Sequence, residues 1–225
     1  MDRDGTSIGG LKNPLQPTRQ LFHISVIMDL VALITSLFIS PYFALGILLY
    51  ISASRVYSFR GIRLKKYPVI GFLTVFIFQG ALIFFITYHG VHSGKTLFVP
   101  WLACIISSLL IGALYPLTQI YQHKEDKMDG VTTISMLLGK RGSFVFSMTL
   151  FLTASLLMFI LFREELNYFY LFLLLLMPVV LFFLYWMRKV WQDESAADFR
   201  YSLQMNILST FCTAAFFSTL IILKH

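Results

Sequence analysis

A chain of 225 residues that is 57% hydrophobic, carries 23 Phe, is only 13% charged and has a mean hydropathy of +0.75 lies outside the range of soluble domains. The net charge of +7 would suit a nucleic-acid binder, but the basic residues sit in short segments between apolar runs and not on one soluble face, so no nucleic-acid partner is expected. What remains is a polytopic membrane protein.

The opening MDRDGTSIGGLKNP holds carboxylates and glycines where a signal peptide would need a basic stretch followed by an apolar core. Seven apolar spans follow: Leu21–Ile39, Tyr42–Ala53, Pro68–Tyr88, Leu97–Tyr121, Ser143–Phe162, Tyr168–Met187 and Leu203–Leu223. Each is at or near the ~20 residues a helix needs to cross a bilayer. The second is short, and only Ser40-Pro41 separates it from the first, a turn signal that predicts a tight hairpin. Alternating strands of about ten residues, the mark of a membrane barrel, are missing. The expected fold class is therefore all-α, a polytopic transmembrane helical bundle. Cys104 and Cys212 fall inside spans without CxxC or Cys/His spacing and read as small core residues.

Threading these spans puts 1–20, 54–67, 122–142 and 188–202 on one side. That side holds Arg3, Lys12, Arg19, Arg55, Arg60, Arg63, Lys65, Lys66, Lys124, Lys127, Lys140, Arg141, Arg188, Lys189 and Arg200, 15 of the 18 basic residues. Only Lys95, Arg163 and Lys224 lie opposite. The positive-inside rule then makes the long loops cytoplasmic, and an inner (plasma) membrane is the expected location.

Charge also gathers in two acidic segments on that side: Asp2 and Asp4 at the start, and Glu125, Asp126 and Asp129 after the fourth span, each followed by glycine and a basic residue. If the fourth span continues as a helix, Gln122, Asp126 and Asp129 share one face at i, i+4 and i+7, with Glu125 beside them. Hard oxygen ligands on one face suit Mg²⁺, which takes one or two carboxylates and completes its shell with water and phosphate. The plainer alternative is a solvated loop in which Lys124 and Lys127 pair with their acidic neighbours. The loop SRVYSFRGIRLKKYPVIG interleaves Arg55, Arg60, Arg63, Lys65 and Lys66 with Tyr57 and Tyr67. It suits either a diphosphate clamp or a topology anchor on anionic lipid.

Asp29 lies mid-span and reads as a cavity group or a helix-packing partner, and Gln79 beside Gly80 presents the same choice. His89 and His92 fall on the side away from the acidic segments and read as loop residues without a ligand role. Tyr168, Phe169 and Tyr170 fit an interfacial aromatic belt.

YSFRGIRLKKYPVIG, the segment from Tyr115 through QHKEDKMDGVTTISMLLG, and MDRDGTSIGGLKNP together resemble, in type and order, the UbiA-type intramembrane prenyltransferase superfamily. The likeness spans residues 1 to about 142, and the last three spans match in number and spacing. It implies a single membrane-embedded prenyltransferase domain over 1–225, with a lipid-open cavity and Mg²⁺ holding a polyprenyl diphosphate. The implied reaction transfers the polyprenyl group to a lipid-soluble or aromatic acceptor, as in quinone biosynthesis. The implied metal ligands are Asp2, Asp4, Asp126 and Asp129, with Asp2 and Asp126 essential to catalysis. Arg63, Lys65, Tyr57, Lys12 and Gln122 would bind the diphosphate, and Asp29 and Gln79 would line the acceptor cavity. Two features depart from the family pattern. Gln122 and Lys124 stand where carboxylates are usual, and Thr6 replaces the next Asp of the first motif. Seven spans against the family's nine, with the first motif at the very start, lead to the expectation of a truncated chain lacking two helices and inactive alone. The rival expectation is a non-catalytic scaffold or transporter that keeps the fold.

Overall fold

The computed structural model describes residues 18–59 and 61–224. Among them every regular element is helical, with no strand. Asp2, Asp4 and Lys12 lie outside the described residues.

Helix α1, Arg19–Leu37, starts where the Thr18 side chain accepts from the Leu21 amide at 3.1 Å. The chain reverses at Ser40, whose hydroxyl accepts from the Phe43 amide at 3.0 Å, and Pro41 opens α2, Pro41–Ser58. The hairpin is as expected, but α2 runs past Ala53. Arg55 extends it because Asp29 of α1 receives the guanidinium, so a charge the composition placed in a loop is held on the helix. The next span, Pro68–Val91, contains α3 (Pro68–Val75), a π-helical segment (Phe76–Leu82) and α4 (Ile83–Val91).

Helix α5, Trp101–Leu114, does not continue regularly into the acidic segment. Pro116 lacks the amide a continuing helix needs, and the chain passes through two 3₁₀ turns, Pro116–Thr118 and Ile120–Gln122, before the short α6, His123–Met128. The expected single helix is thus interrupted before the acidic segment, but Gln122, Asp126 and Asp129 still fall in one short helical run, with Gln122 the N-cap of α6 and Asp129 its C-cap. The stretch α7, Ile134–Leu161, is two helices joined at Gly139, whose φ 69° and ψ 172° are non-helical: a short piece before the glycine and, after it, the long span that starts just before the predicted Ser143. Helices α8, Leu166–Gln192, and α9, Phe199–Lys224, complete the bundle.

Six helical stretches among the described residues are long and apolar enough to cross a membrane, and α2, at 18 residues, is the seventh of the expected spans. Neighbours in sequence are largely neighbours in space, with α5 against α7 and the π segment, and α8 against α9. Two close approaches depend on glycine. A Cβ on Gly80 would sit 2.4 Å from Ser108 Cα, and one on Gly46 would sit 2.1 Å from Ile86 Cγ2. One core surrounds Phe144, Trp186 and Val190, where Trp186 donates to the Ala196 carbonyl at 2.8 Å. The other gathers Ile106, Met158, Phe172, Leu176 and Phe216.

Loops predicted to share a face are tied together. Thr132 N donates to the Lys66 carbonyl at 3.4 Å, Lys140 Nζ to the Glu194 carbonyl at 2.8 Å and Arg141 Nη2 to the Trp191 carbonyl at 3.2 Å. At the other end, His89 bridges Ser40 Oγ (2.6 Å) and the Thr96 carbonyl (2.9 Å). This corrects the reading of His89 as a loop residue: it is helical, 1% exposed, and staples the α1–α2 turn to α4.

Candidate functional site

The broken path after α5 sets the site. Tyr115, last of the regular turns, places its hydroxyl 2.5 Å from that of Tyr57 near the end of α2, and Gln119 in the 3₁₀ stretch hydrogen-bonds to Tyr115. Helix α6 then carries Asp126, which is 3% exposed and lies within electrostatic reach of Tyr57, Tyr115, Tyr121 and His123. The turn is held by Val131 N donating to the Asp126 carbonyl at 2.8 Å, with Gly130 at φ 65° making the reversal. His123 Nε2 meets Ser135 Oγ at 2.8 Å, which anchors the start of α6 to α7.

Asp129 follows α6 and pairs with Arg63, whose Nη1 also donates to the Asp129 carbonyl at 3.3 Å. Arg63 adopts a left-handed backbone at φ 50°, unusual for a residue with a side chain, and that conformation aims its guanidinium at the acidic turn. Lys65 follows in the turn Leu64–Lys66, and Gln122 Nε2 donates to Tyr121 Oη at 2.8 Å. Lys124 is exposed. Glu125 is half-buried, and its Oε2 is enclosed without a hydrogen-bond partner. The structure therefore gathers Tyr57, Arg63, Gln122, Asp126 and Asp129 at one end of the bundle.

Two candidates fall elsewhere. Asp29 pairs with Arg55, which also donates to Ser25 Oγ at 3.2 Å, in a separate groove of about 720 Å³ between α1 and α2. Gln79 is exposed on the π segment. Among the described residues no group of three or more His, Cys, Asp or Glu is placed to hold a metal ion.

Beside the tyrosine pair lies a cavity of about 340 Å³, lined by Tyr57, Tyr115, Thr118, Gln119, Tyr121, Gln122, Phe199, Ser202, Leu203 and Asn206. A second, apolar cavity of about 280 Å³ lies between α5, α7, α8 and α9. Leu117 and Met205 line the apolar one, while their sequence neighbours Thr118 and Asn206 line the polar one. A polar chamber and a greasy chamber thus adjoin along α9.

Sequence reasoning missed Gln119, His123, Ser202 and Asn206. Asn206 carried a signal, being an amide inside an apolar span, and Ser202 lies four residues earlier on the same helical face. Gln119 carried none, since only the 3₁₀ break turns it toward the tyrosines. A sequence model of the UbiA prenyltransferase family matches residues 14–210. No match was found among curated proteins or among solved structures.

Proposed function

The chain belongs to the UbiA prenyltransferase family, and from that premise we propose that it transfers a polyprenyl group from a polyprenyl diphosphate to an aromatic acceptor with Mg²⁺ as cofactor. The whole of 1–225 acts as one membrane-embedded domain in this reading. The observation that carries it is the buried Asp126 carboxylate at the polar end of the bundle, next to a polar chamber that adjoins an apolar one. Ionised carboxylates are costly to bury and are kept where a cation or a reaction needs them.

The donor set fits Mg²⁺. Asp126 is a hard oxygen donor, and the buried Glu125 Oε2 has no hydrogen-bond partner, so an ion there would satisfy an otherwise orphaned atom. Asp126 and Glu125 would hold the ion, together with Asp2 and Asp4 from the opening segment. Asp129 would join them only by exchanging Arg63. When bound, Mg²⁺ supplies positive charge to the departing diphosphate. Arg63 and Lys65, with Tyr57, Gln122 and Lys12, bind the diphosphate oxygens and offset the charge that develops as it leaves. The allylic C–O bond breaks with its electron pair going to the diphosphate. The acceptor ring then supplies the pair for the new bond and loses a proton.

Membrane embedding fits the substrate, because each isoprenoid CH₂ removed from lipid costs about 0.8 kcal/mol. The polar loops face the cytoplasm, on the positive-inside argument, with the inner (plasma) membrane as the location. The test is release of diphosphate and formation of a prenylated lipid by membranes containing the full-length protein, with and without Mg²⁺. Mg²⁺-dependent product supports the reading. Normal expression with no turnover on any aromatic acceptor would favour a scaffold or transporter that retains the fold.

A further inference from the structure

The Asp29–Arg55 ion pair lies between α1 and α2, yet its side chains keep 32% and 40% of their surface uncovered. Ionisable groups within a membrane span are costly unless their polar atoms find partners. Arg55 gives Nε and Nη2 to Asp29 Oδ2, and Nη2 also to Ser25 Oγ, so among the described residues Nη1 and Asp29 Oδ1 have no hydrogen-bond partner. The exposed Ser54 and Ser58 lie one turn apart on α2 in the wall of the same groove of about 720 Å³. The groove runs from Phe22, near the start of α1, and from Phe59 and Ile62, past the end of α2, down to Asp29. The helix between Phe22 and Asp29 sets that depth at about 10 Å, so the mouth meets a membrane interface while the floor lies within the hydrocarbon core.

We propose that this groove binds the headgroup of a zwitterionic phospholipid bearing a primary ammonium, the ethanolamine class. Its phosphate accepts from Arg55 Nη1 and from the Ser54 and Ser58 hydroxyls, and its ammonium donates to Asp29 Oδ1. The charges decide the class. A purely anionic headgroup would set its charge against the Asp29 carboxylate, and a choline headgroup carries its cation on a nitrogen with no hydrogen to donate. The short link between phosphate and nitrogen in ethanolamine lets one headgroup meet both halves of a contact ion pair. A second copy of the chain would offer the same charges, but two concave grooves set face to face leave a void where packing requires contact. A headgroup entering from the interface fills the groove, and its acyl chains continue along α1 past the exposed Leu30, Val31 and Ile34.

The test uses the full-length chain in dodecyl maltoside, with dioleoyl phosphatidylethanolamine, phosphatidylcholine and phosphatidylglycerol as probes and bound lipid counted by native mass spectrometry. Wild type should bind the ethanolamine lipid about tenfold more tightly than either of the others, the worth of one charge-assisted hydrogen bond. Asp29→Asn should remove most of the preference over the choline lipid and raise affinity for the glycerol lipid, because Arg55 then meets the phosphate with no opposing charge beside it. Arg55→Gln should weaken binding of the ethanolamine lipid about tenfold. Ser54→Trp, at an exposed position, fills the groove and should abolish the preference with the ion pair intact. Melting curves check folding, and if the ion-pair variants fail to fold, Ser54→Trp decides alone. Equal affinity for the three lipids in wild type, which leaves the groove to water, overturns the proposal. So does an unchanged preference in the folded variants, or a dimer that forms without lipid and is lost in Ser54→Trp.

Discussion

Replacing Asp126 by Asn separates a metal ligand from a structural carboxylate. The side chain is 3% exposed in α6, and Asn keeps its size and one oxygen while removing the charge. A loss of ~3 kcal/mol of transition-state stabilisation, modest for a metal ligand, lowers turnover about a hundredfold. Asn keeps an acceptor oxygen for the contacts Asp126 makes in the fold, so melting of the metal-free variant against metal-free wild type checks that the protein still folds. Mg²⁺ at about a hundred times its dissociation constant contributes ~2.7 kcal/mol to whichever protein binds it. At ~2–4 °C per kcal/mol for a chain of this size, wild type should gain roughly 5–11 °C in Tm and Asp126→Asn almost nothing. The assay is paired: prenyl transfer at saturating Mg²⁺, and thermal melting with and without the ion. Activity within about threefold of wild type, or an equal Mg²⁺ shift in the variant, would refute the assignment.

Arg63→Gln should raise KM for the prenyl diphosphate and leave acceptor binding unchanged, which a two-substrate kinetic matrix reads. Lys124→Ala, at an exposed position, should leave turnover within about twofold in the same assay. Ser40→Ala removes the cap of α2 and the hydroxyl that donates to His89 Nε2, whose ring proton is fixed on Nδ1 by the Thr96 carbonyl. It should cost about 2–3 kcal/mol in melting experiments without changing the reaction. Gly80→Leu drives a side chain into the Ser108 backbone, 2.4 Å from the first added carbon, and should abolish assembly, visible as loss of monodisperse protein in gel filtration.

The spans were legible because apolar length is nearly decisive in a bilayer, where every backbone group must find its partner inside the segment. The hairpin was legible too, since Ser40 and Pro41 carry their turn chemistry in the side chains themselves. Boundaries failed where a tertiary partner changed the local rule. Arg55 reads as loop until Asp29 is seen across the hairpin, and the short helix before Gly139 reads as loop because that glycine separates it from the span that follows. Within the site, Asp126 and Arg63 stood out by charge and pattern. The pairing of Arg63 with Asp129, the tyrosine contact and the orientation of Gln119 depend on a backbone at φ 50° and on two 3₁₀ turns, which residue type does not announce.

The acidic segment after Tyr115 carries a residue that a helix end in water would leave exposed. Eleven residues separate Tyr115 from Asp126, and an unbroken α-helix would set them about 16 Å apart along its axis. The same helix, begun at Trp101, would carry Asp126 about 38 Å from its start, beyond the ~30 Å hydrocarbon core and out into water. There a carboxylate is hydrated and cheap, and Lys124 or Lys127 would serve it as well as any ligand. Instead, Asp126 is 3% exposed: after Pro116 interrupts the regular ladder, the 3₁₀ turns and α6 hold it against the bundle, within electrostatic reach of Tyr115 and Tyr57. Gly130 and the Val131 to Asp126 hydrogen bond lock the return, and Arg63 holds Asp129 across from it. Burial raises the free energy of the charge and so sharpens its preference for a cation over water. The acidic segment thus ends with a buried carboxylate at Asp126 and an ion pair between Asp129 and Arg63 of the basic loop.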